Sequence, residues 1–296
     1  MRTAVTASRR LGLHAPLVSA VGYGGMHLSI QDRPSEEQAI EVILAAIDAG
    51  ATLLDTADVY CLDDSEIGHN ERLFARALAR RPGDRERVIV ATKGGMRRPG
   101  GKWEIDGRPE HLRAACERSL QALNVDRIDL YQLHVPDPRV PLADSMGALA
   151  DLQREGKVRW IGLSNVSVGE IREAEAVAPV TSVQNRLNPF FREALSEGVV
   201  AYCAEQGIGF LAYSPTGGGR LNRKLPAHPV LQPMAARLGT TPHALVLAWV
   251  LARSPTVIVI PSARSVDHAR NAASAAEIAL SEADLGTITA AEFSRA

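Results

Sequence analysis

Residues 35–55 read SEEQAIEVILAAIDAGATLLD and contain the structural unit on which the rest of the chain is built. Ser35 and Gln38 have the spacing of a helix-capping box, and Gly50 stands where a helix ends. The apolar residues between them lie at the spacing of one helix face: Ile40, Ile43, Leu44 and Ile47. The run at 51–55 is short, apolar and ends in a carboxylate, which is typical of a buried strand. This stretch therefore predicts a helix followed by a strand.

The same alternation extends along most of the chain. The apolar runs that we interpret as strands occupy residues 17–22, 52–54, 88–91, 128–133, 160–163, 180–183, 208–212 and 257–260. Between them lie segments with helical spacing, about eight in number. Pro109 opens one, Ser167 and Glu170 form a second capping box, and Thr241 with Pro242 opens a helix that is apolar nearly all round.

About eight strands alternating with about eight helices predict an α/β fold, a single (β/α)8 TIM barrel. No Pro/Ser-rich linker divides the chain, so we expect one domain over residues 1–296. The residues before Leu17 form a short N-terminal extension, interpreted as a hairpin that closes the barrel bottom, and residues 281–293 form a C-terminal helix. The loops at 94–109 and 216–241 exceed the usual length of about two to six residues and follow strand C-termini, where barrel active sites are built.

Composition excludes several classes of protein. The chain has 296 residues, of which 46% are hydrophobic and 23% charged, and its formal net charge is -1. This balance is typical of a globular protein and offers no basic surface for nucleic acid or anionic membranes. No run approaches the roughly 18 apolar residues of a membrane span.

The cysteines and the N-terminus favour a cytoplasmic protein. Cys61, Cys116 and Cys203 are odd in number and widely spaced, which predicts neither a disulfide framework nor a metal-binding knuckle. No His/Asp cluster has metal-ligand spacing, and the opening MRTAVTASRR lacks the apolar core of a secretory signal. We therefore expect a soluble protein without a metal site.

Four polar residues follow neighbouring strands of the predicted barrel: Asp55, Tyr60, Lys93 and His134. Taken singly, each has an ordinary interpretation: a helix cap, a loop aromatic, a solvated lysine and a structural histidine. Their convergence at one mouth favours a proton-transfer site. A tyrosine pKa of about 10 is too high for easy acid–base work at neutral pH. An ammonium about 4 Å away is worth up to about 4 kcal/mol, or roughly three pKa units. We therefore expect Lys93 to lower the pKa of Tyr60, Asp55 to orient Lys93, and a neutral His134 to polarise a carbonyl.

An ordered set of motifs resembles the aldo-keto reductases over nearly the whole chain. These motifs are VGYGGMHLS, DTADVY, GHNE, ATKGG, DRIDLYQLH, GKVRWIGLSN, SVQN, AYSP and IPSARS. The resemblance implies that Asp55, Tyr60, Lys93 and His134 form the catalytic tetrad. It also implies an NADPH-dependent oxidoreductase that reduces an aldehyde or ketone, with Tyr60 as proton donor while hydride arrives from the nicotinamide of NADPH.

The resemblance also implies a set of cofactor-binding residues. Ser164, Asn165 and Gln184 match the positions that hold the carboxamide, and Tyr213 matches the aromatic residue that stacks on the nicotinamide ring. Arg264 is the candidate for the 2′-phosphate, because a guanidinium matches phosphate oxygens. The remaining candidate cofactor residues are Gly24, Gly25, Met26, Asp55, Ser214, Pro215, Thr216, Gly217, Ser262, Ala263, His268 and Asn271.

Several positions depart from the family pattern. Ser262 stands where some branches have Lys, Thr216 where Leu is usual, and His268 where Gln or Arg is common. Asn271 lies one place before the aligned position of the family's Asn, which holds Ala272. Arg264 is then the single candidate cation for the 2′-phosphate, where the family pattern has two. The sequence therefore supports a preference for NADPH over NADH only in part.

The sequence bears on three other classes of function. A hydrolase is excluded because IGLSNVS lacks the second glycine of a nucleophile elbow. The chain has no P-loop, no H-E-x-x-H motif and no metal-spaced His/Asp cluster, which disfavours a metal-dependent barrel isomerase. The alternative is a cofactor-binding regulatory protein, since the family resembles potassium-channel β subunits; the intact tetrad favours an enzyme.

The expected partner is a small-molecule carbonyl or alcohol substrate, with no nucleic acid and no membrane. Trp103, in the first long loop, is the candidate aromatic wall of the pocket, although an ordinary loop anchor is equally compatible. The short chain after Asn271 predicts an open site that accepts varied aldehydes or ketones. Cys61, beside Tyr60, is interpreted first as a plain loop cysteine and second as a source of thiol sensitivity.

Overall fold

The computed structural model of the chain describes residues 2–3 and 7–296, the first pair by backbone alone. Its strands are β1 (Arg2–Thr3), β2 (Ser8–Arg10), β3 (Leu17–Ser19), β4 (Tyr23–Gly24), β5 (Leu53–Asp55), β6 (Ile89–Gly94), β7 (Met96–Arg97), β8 (Glu104–Ile105), β9 (Ile128–Leu133), β10 (Val158–Ser164), β11 (Ser182–Arg186), β12 (Gly209–Tyr213), β13 (Val257–Val259) and β14 (Leu280–Ser281).

The helices alternate with the longer strands. They are α1 (Glu36–Asp48), α2 (His69–Ala79), α3 (Pro82–Arg85), α4 (Pro109–Leu123), α5 (Leu142–Arg154), α6 (Val168–Glu175), α7 (Glu193–Ser196), α8 (Val199–Gln206), α9 (Gly218–Leu221), α10 (Leu231–Arg237), α11 (Pro242–Leu251), α12 (Val266–Ala273) and α13 (Glu282–Ala290). Four of these, α3, α7, α9 and α10, have four to seven residues and were not expected from the sequence.

Eight parallel strands form the barrel in the order β4-β5-β6-β9-β10-β11-β12-β13. A parallel bridge between Val21 and Val259 brings the two ends of this sheet together, and the Gly22 N–H donates to the Val259 carbonyl at 2.9 Å. The expected (β/α)8 architecture is confirmed.

Local signals account for the helix boundaries. In α1, the Ser35 side chain accepts from the Gln38 N–H, and the Gln38 side chain accepts in return from Ser35, so the predicted capping box is confirmed. The box at Ser167 and Glu170 forms in the same way before α6. Thr241 caps α11, whose residues from Ala244 to Leu251 are all buried, as its uniformly apolar sequence predicts.

The first predicted strand, residues 17–22, is wrong as one element. Leu17–Ser19 pairs antiparallel with Ser8–Arg10 in a hairpin, and the first barrel strand is Tyr23–Gly24. The expected N-terminal hairpin is therefore real but includes part of this run. Met1 and residues 4–6 of the expected extension lie outside the described residues.

The hairpin fills the bottom of the barrel. Leu11, Ala15 and Val18 are buried in one cluster that also contains the inward-facing residues of the barrel strands: Leu53, Ala91, Leu130, Leu211 and Ile258. Gly209 permits this approach, because a Cβ there would lie 2.2 Å from the carbonyl oxygen of Leu11. With the bottom plugged, the strand C-termini at the opposite end remain free to build a site.

Candidate active site

The ammonium of Lys93 is the centre of the polar cluster at the top of the barrel. Its side chain is fully buried on β6, and its Nζ donates to Asp55 Oδ1 at 2.6 Å, to the Thr56 carbonyl at 2.8 Å and to the hydroxyl oxygen of Tyr60 at 3.2 Å. Because an ammonium has three N–H donors, this set satisfies it completely. The strand ends thus bring Asp55, Lys93 and Tyr60 together as the sequence predicted.

Burial dominates the proton affinity of Tyr60. Burial raises the pKa of Tyr60 above its ordinary value, and the nearby Lys93 opposes this shift without overcoming it. We expected Lys93 to lower the pKa of Tyr60 towards neutrality, and this expectation is wrong for the chain without a bound cofactor or substrate. Burial also opposes the charge on Lys93, but attraction to Asp55 and Tyr60 outweighs it and raises the Lys93 pKa. Both groups are protonated at neutral pH.

His134 follows β9 and lies beside the tyrosine. Its ring centroid is 5.9 Å from that of Tyr60, with the two rings nearly perpendicular. Burial, together with the charge of Lys93, lowers the pKa of His134 well below its usual range, so the imidazole is neutral at pH 7. Its Nδ1 is buried and accepts or donates no hydrogen bond within the described part of the chain.

A cavity of about 620 Å³ opens above this cluster. Its lining includes most of the residues predicted for the site: Gly24, Met26, Asp55, Tyr60, His134, Ser164, Asn165, Gln184, Tyr213, Ser214, Pro215, Thr216, Ser262, Ala263, Arg264 and His268. Its volume lies within the range usual for small-molecule sites.

Polar side chains on one wall of the cavity are held by one another. Asn165 has a left-handed backbone (φ 59°), and its Nδ2 donates to the His134 carbonyl at 3.0 Å while its Oδ1 accepts from the Tyr213 hydroxyl at 2.8 Å. The Gln184 Nε2 donates to Asp55 Oδ2 at 2.7 Å. These bonds connect the ends of β5, β10, β11 and β12 around the tetrad.

Four predicted residues do not line the cavity. Lys93 lies beneath it, and Gly25 is a packing glycine, since a Cβ there would lie 2.3 Å from the Phe74 ring. Gly217 adopts φ 101° at the start of α9. Asn271 lies on α12, where its Oδ1 accepts from the Thr241 hydroxyl at 2.9 Å, so the structure does not bring it to the cavity.

The cavity also has lining residues that the sequence did not single out. They are His27, Met96, Val135, Arg186, Gly218, Gly219, Asn222, Arg223 and Ile260. Most lie in loops or in the irregular segment after β12, where no periodic pattern assigns a direction to a side chain. For Asn222 and Arg223, the unusual length of the 216–241 loop was the one feature of the sequence that pointed to a place at the cavity.

Charged groups gather at the part of the cavity near α12. Arg264 is exposed, and its Nη1 donates to the Asp32 carbonyl at 3.1 Å. Burial and the charge of Arg264 lower the pKa of His27. Among the described residues that line the cavity, Asp55 alone is acidic, and Lys93 pairs with it. The cavity therefore favours an anionic occupant.

The sequence model of the Aldo/keto reductase family matches residues 20–292. The chain belongs to this family. It is 36% identical to "Probable aldo-keto reductase 1" of Glycine max, over 94% of the chain and 87% of that protein. It is also 36% identical to an uncharacterized oxidoreductase of Schizosaccharomyces pombe, over 90% of the chain and 84% of that protein.

Solved structures agree with this assignment. An aldo/keto reductase from Klebsiella pneumoniae, crystallised with NADP and acetate, matches with a TM-score of 0.80 and 27% identity. The match covers 96% of the chain and 94% of that structure. No helix among the described residues of the chain is long and apolar enough to cross a membrane.

Trp103 stands in the first long loop of the chain, which folds as the β7–β8 hairpin. The Trp103 ring lines the cavity with its centroid 6.5 Å from that of Tyr60, and the Arg98 guanidinium lies 3.9 Å from the same ring. The indole is 46% exposed. An aromatic surface therefore lies beside the tetrad, as the interpretation of Trp103 as a pocket wall requires.

Cys61 is sealed from the cavity. Its side chain is fully buried, its Sγ donates to the Val59 carbonyl at 3.4 Å, and burial raises the pKa of the thiol to about 11. A thiol that is protonated and inaccessible reacts slowly with alkylating agents. The geometry favours the plain loop cysteine.

The C-terminal residues pack against the 216–241 loop from outside. α13 is followed by a tail whose Phe293 ring lies 5.2 Å from that of Phe190 and 4.4 Å from that of His228, centroid to centroid. Of the residues that the structure describes, none after His268 lines the cavity. The tail supports one wall of the mouth and leaves its roof open.

Proposed function

We propose that this chain is an NADP(H)-dependent carbonyl reductase that interconverts an aldehyde or ketone and its alcohol. The observation that carries the proposal is the buried chain of hydrogen bonds from Asp55 through Lys93 to the Tyr60 hydroxyl, which lies at the cavity floor. A phenol next to a buried ammonium can act as a proton donor, because the positive charge that stabilises the phenolate is already in place before the proton leaves.

The protein residues have distinct roles in this reaction. Bound NADPH would supply the hydride for the carbonyl carbon, and Tyr60 would give its proton to the carbonyl oxygen. Lys93 donates to the Tyr60 oxygen, which leaves the phenolic hydrogen free to point into the cavity. As that proton leaves, the ammonium stabilises the phenolate, and Asp55 balances the charge of the ammonium. Neutral His134 orients the carbonyl.

The cavity fits a phosphorylated dinucleotide. Ser164, Asn165 and Gln184 present hydroxyl and amide groups that match both edges of a carboxamide, and Tyr213 presents an aromatic ring. Arg264 and Arg223 supply positive charge along the cavity, with His268 beside them. The Klebsiella relative crystallised with NADP supports the same cofactor. We assign the 2′-phosphate to Arg264, which makes NADPH the preferred form.

Turnover of NADPH with a reactive aromatic aldehyde tests this proposal. The expected result is one equivalent of alcohol formed for each NADPH consumed. Tight NADPH binding without turnover for a panel of aldehydes and ketones would contradict the enzyme and support the regulatory alternative. Failure to bind NADPH would contradict the cofactor assignment itself.

A further inference from the structure

Gln132 is a fully buried amide in the barrel interior, directly behind the candidate active site. It lies on β9 opposite Lys93 of β6 on one side and Gly162 of β10 on the other. Its Nε2 donates to Asp55 Oδ2 at 3.3 Å, and its Oε1 accepts from the Gln184 Nε2 at 3.3 Å. A fully buried polar side chain with these partners links the tetrad to the cavity wall.

The orientation of the Gln184 amide follows from these contacts. An ionised carboxylate only accepts hydrogen bonds, so Asp55 must face the NH2 end of Gln184, at 2.7 Å. The second N–H of that NH2 group is taken by Gln132 Oε1. Asp55 therefore determines which end of the amide points inward, and Gln132 determines the plane in which the amide lies.

This arrangement leaves one polar atom of Gln184 free. Both of its N–H groups are used inside the barrel, while the residue itself lines the cavity. Its Oε1 has no hydrogen-bond donor within the described residues, and so it is the atom available to a bound molecule. A bound group must then present an N–H to this position, because an acceptor there would face another acceptor.

We propose that Gln132 is a positioning residue that holds Gln184 as a fixed hydrogen-bond acceptor, through which the site selects a cofactor carrying an amide NH2. The inference rests on the proposed function, since the nicotinamide carboxamide is the group that supplies this NH2. Gln132 itself does not line the cavity and acts only through Gln184.

Binding of two oxidised cofactors tests the inference without catalysis. NADP+ carries the carboxamide, and its 3-acetylpyridine analogue has a methyl group in place of the NH2. Wild-type protein is expected to bind NADP+ about tenfold more tightly than the analogue, the size of effect that one buried hydrogen bond gives. Gln132→Met is expected to reduce this ratio to about threefold or less, by weakening NADP+ binding.

Two further variants make the result specific. Gln153→Met changes a glutamine on α5 that donates to the Arg159 carbonyl, away from the cavity, and should keep the wild-type ratio. Gln132→Asn shortens the side chain by one methylene group and withdraws its oxygen from Gln184, so it carries the same test if Gln132→Met does not fold.

The outcomes separate this inference from the proposed function. An unchanged ratio in the Gln132 variants, or a wild-type protein that binds both cofactors equally, would overturn the role of Gln132. In either case NADPH turnover would still stand. A wild-type protein that binds neither compound would contradict the proposed function, and the inference with it.

Discussion

The Lys93 ammonium lies 3.2 Å from the phenolic oxygen of Tyr60, and both side chains are buried. The ammonium donates to that oxygen, so the phenol keeps its own hydrogen for another acceptor. This pair combines a protonated tyrosine with a cation already placed for the phenolate.

The pH dependence of reduction should follow the ionisation of Tyr60. Burial raises the Tyr60 pKa above its ordinary value, so the proton donor stays protonated through neutral pH and kcat/KM is lost only as pH rises above about 10. His134 has a strongly lowered pKa and adds no inflection near pH 6.5. We expect a level profile from about pH 6 to 9, measured with saturating NADPH.

Lys93→Met tests how the neighbouring cation affects the pH profile of reduction. Removing the cation takes away the interaction that opposes the rise in the Tyr60 pKa, so the alkaline limb should move to higher pH. The rate should fall by roughly 10²- to 10⁴-fold, as for loss of acid–base assistance. An inflection near pH 7 in the wild-type profile that disappears in Tyr60→Phe would contradict this account of the pair.

Arg264 should distinguish the two nicotinamide cofactors. Its guanidinium lies at the cavity and is not paired with a carboxylate within the described residues. Losing a charge-assisted phosphate contact costs about 2 kcal/mol, or roughly 30-fold in affinity. Arg264→Ala is therefore expected to raise the KM for NADPH by about this factor and to change the KM for NADH little.

Arg270→Ala is the control for this change. Arg270 is exposed on α12 but does not line the cavity, so neither KM should move. Equal increases in both KM values for Arg264→Ala would refute the assignment of the 2′-phosphate.

Trp103 should contribute to the binding of aromatic substrates. The indole lines the cavity beside Tyr60 but remains 46% exposed, so its removal costs contact area at the site and little stability. Trp103→Ala is expected to raise the KM for benzaldehyde about tenfold, the equivalent of about 1.4 kcal/mol, and that for propanal much less. Equal changes for the two aldehydes, or a large fall in Tm, would indicate a structural anchor instead.

The barrel and the tetrad were predictable because both depend on periodic patterns. Strand ends in a parallel barrel meet at one face, so Asp55, Lys93 and His134 could be brought together without coordinates. The net rise in the Tyr60 pKa could not be anticipated, because it depends on how completely the surrounding chain excludes water. The spacing of residues in the sequence indicates that a cation lies near Tyr60. It does not indicate the degree of burial, which raises the Tyr60 pKa against the effect of that cation.

Other features depend on long-range packing that no local pattern encodes. Residues 17–22 read as one apolar strand, yet the chain leaves the hairpin after Ser19 before it enters the barrel at Tyr23. Asn271, one place before the aligned position of the family's Asn, was a candidate cofactor residue, but its side chain accepts from the Thr241 hydroxyl instead. Gln132 was visible within DRIDLYQLH, although only the barrel register shows that it reaches Asp55.

In the proposed reaction, the Tyr60 hydroxyl donates the proton to the carbonyl oxygen. The most direct measurement compares kcat with an aromatic aldehyde for wild type, Tyr60→Phe and the control Tyr202→Phe, whose hydroxyl instead donates to Glu175. Because Tyr60 is the proposed proton donor, we expect kcat to fall about 10²- to 10⁴-fold in Tyr60→Phe, with NADPH affinity retained, and a normal rate in Tyr202→Phe. A Tyr60→Phe variant that retains wild-type kcat would contradict this role of Tyr60.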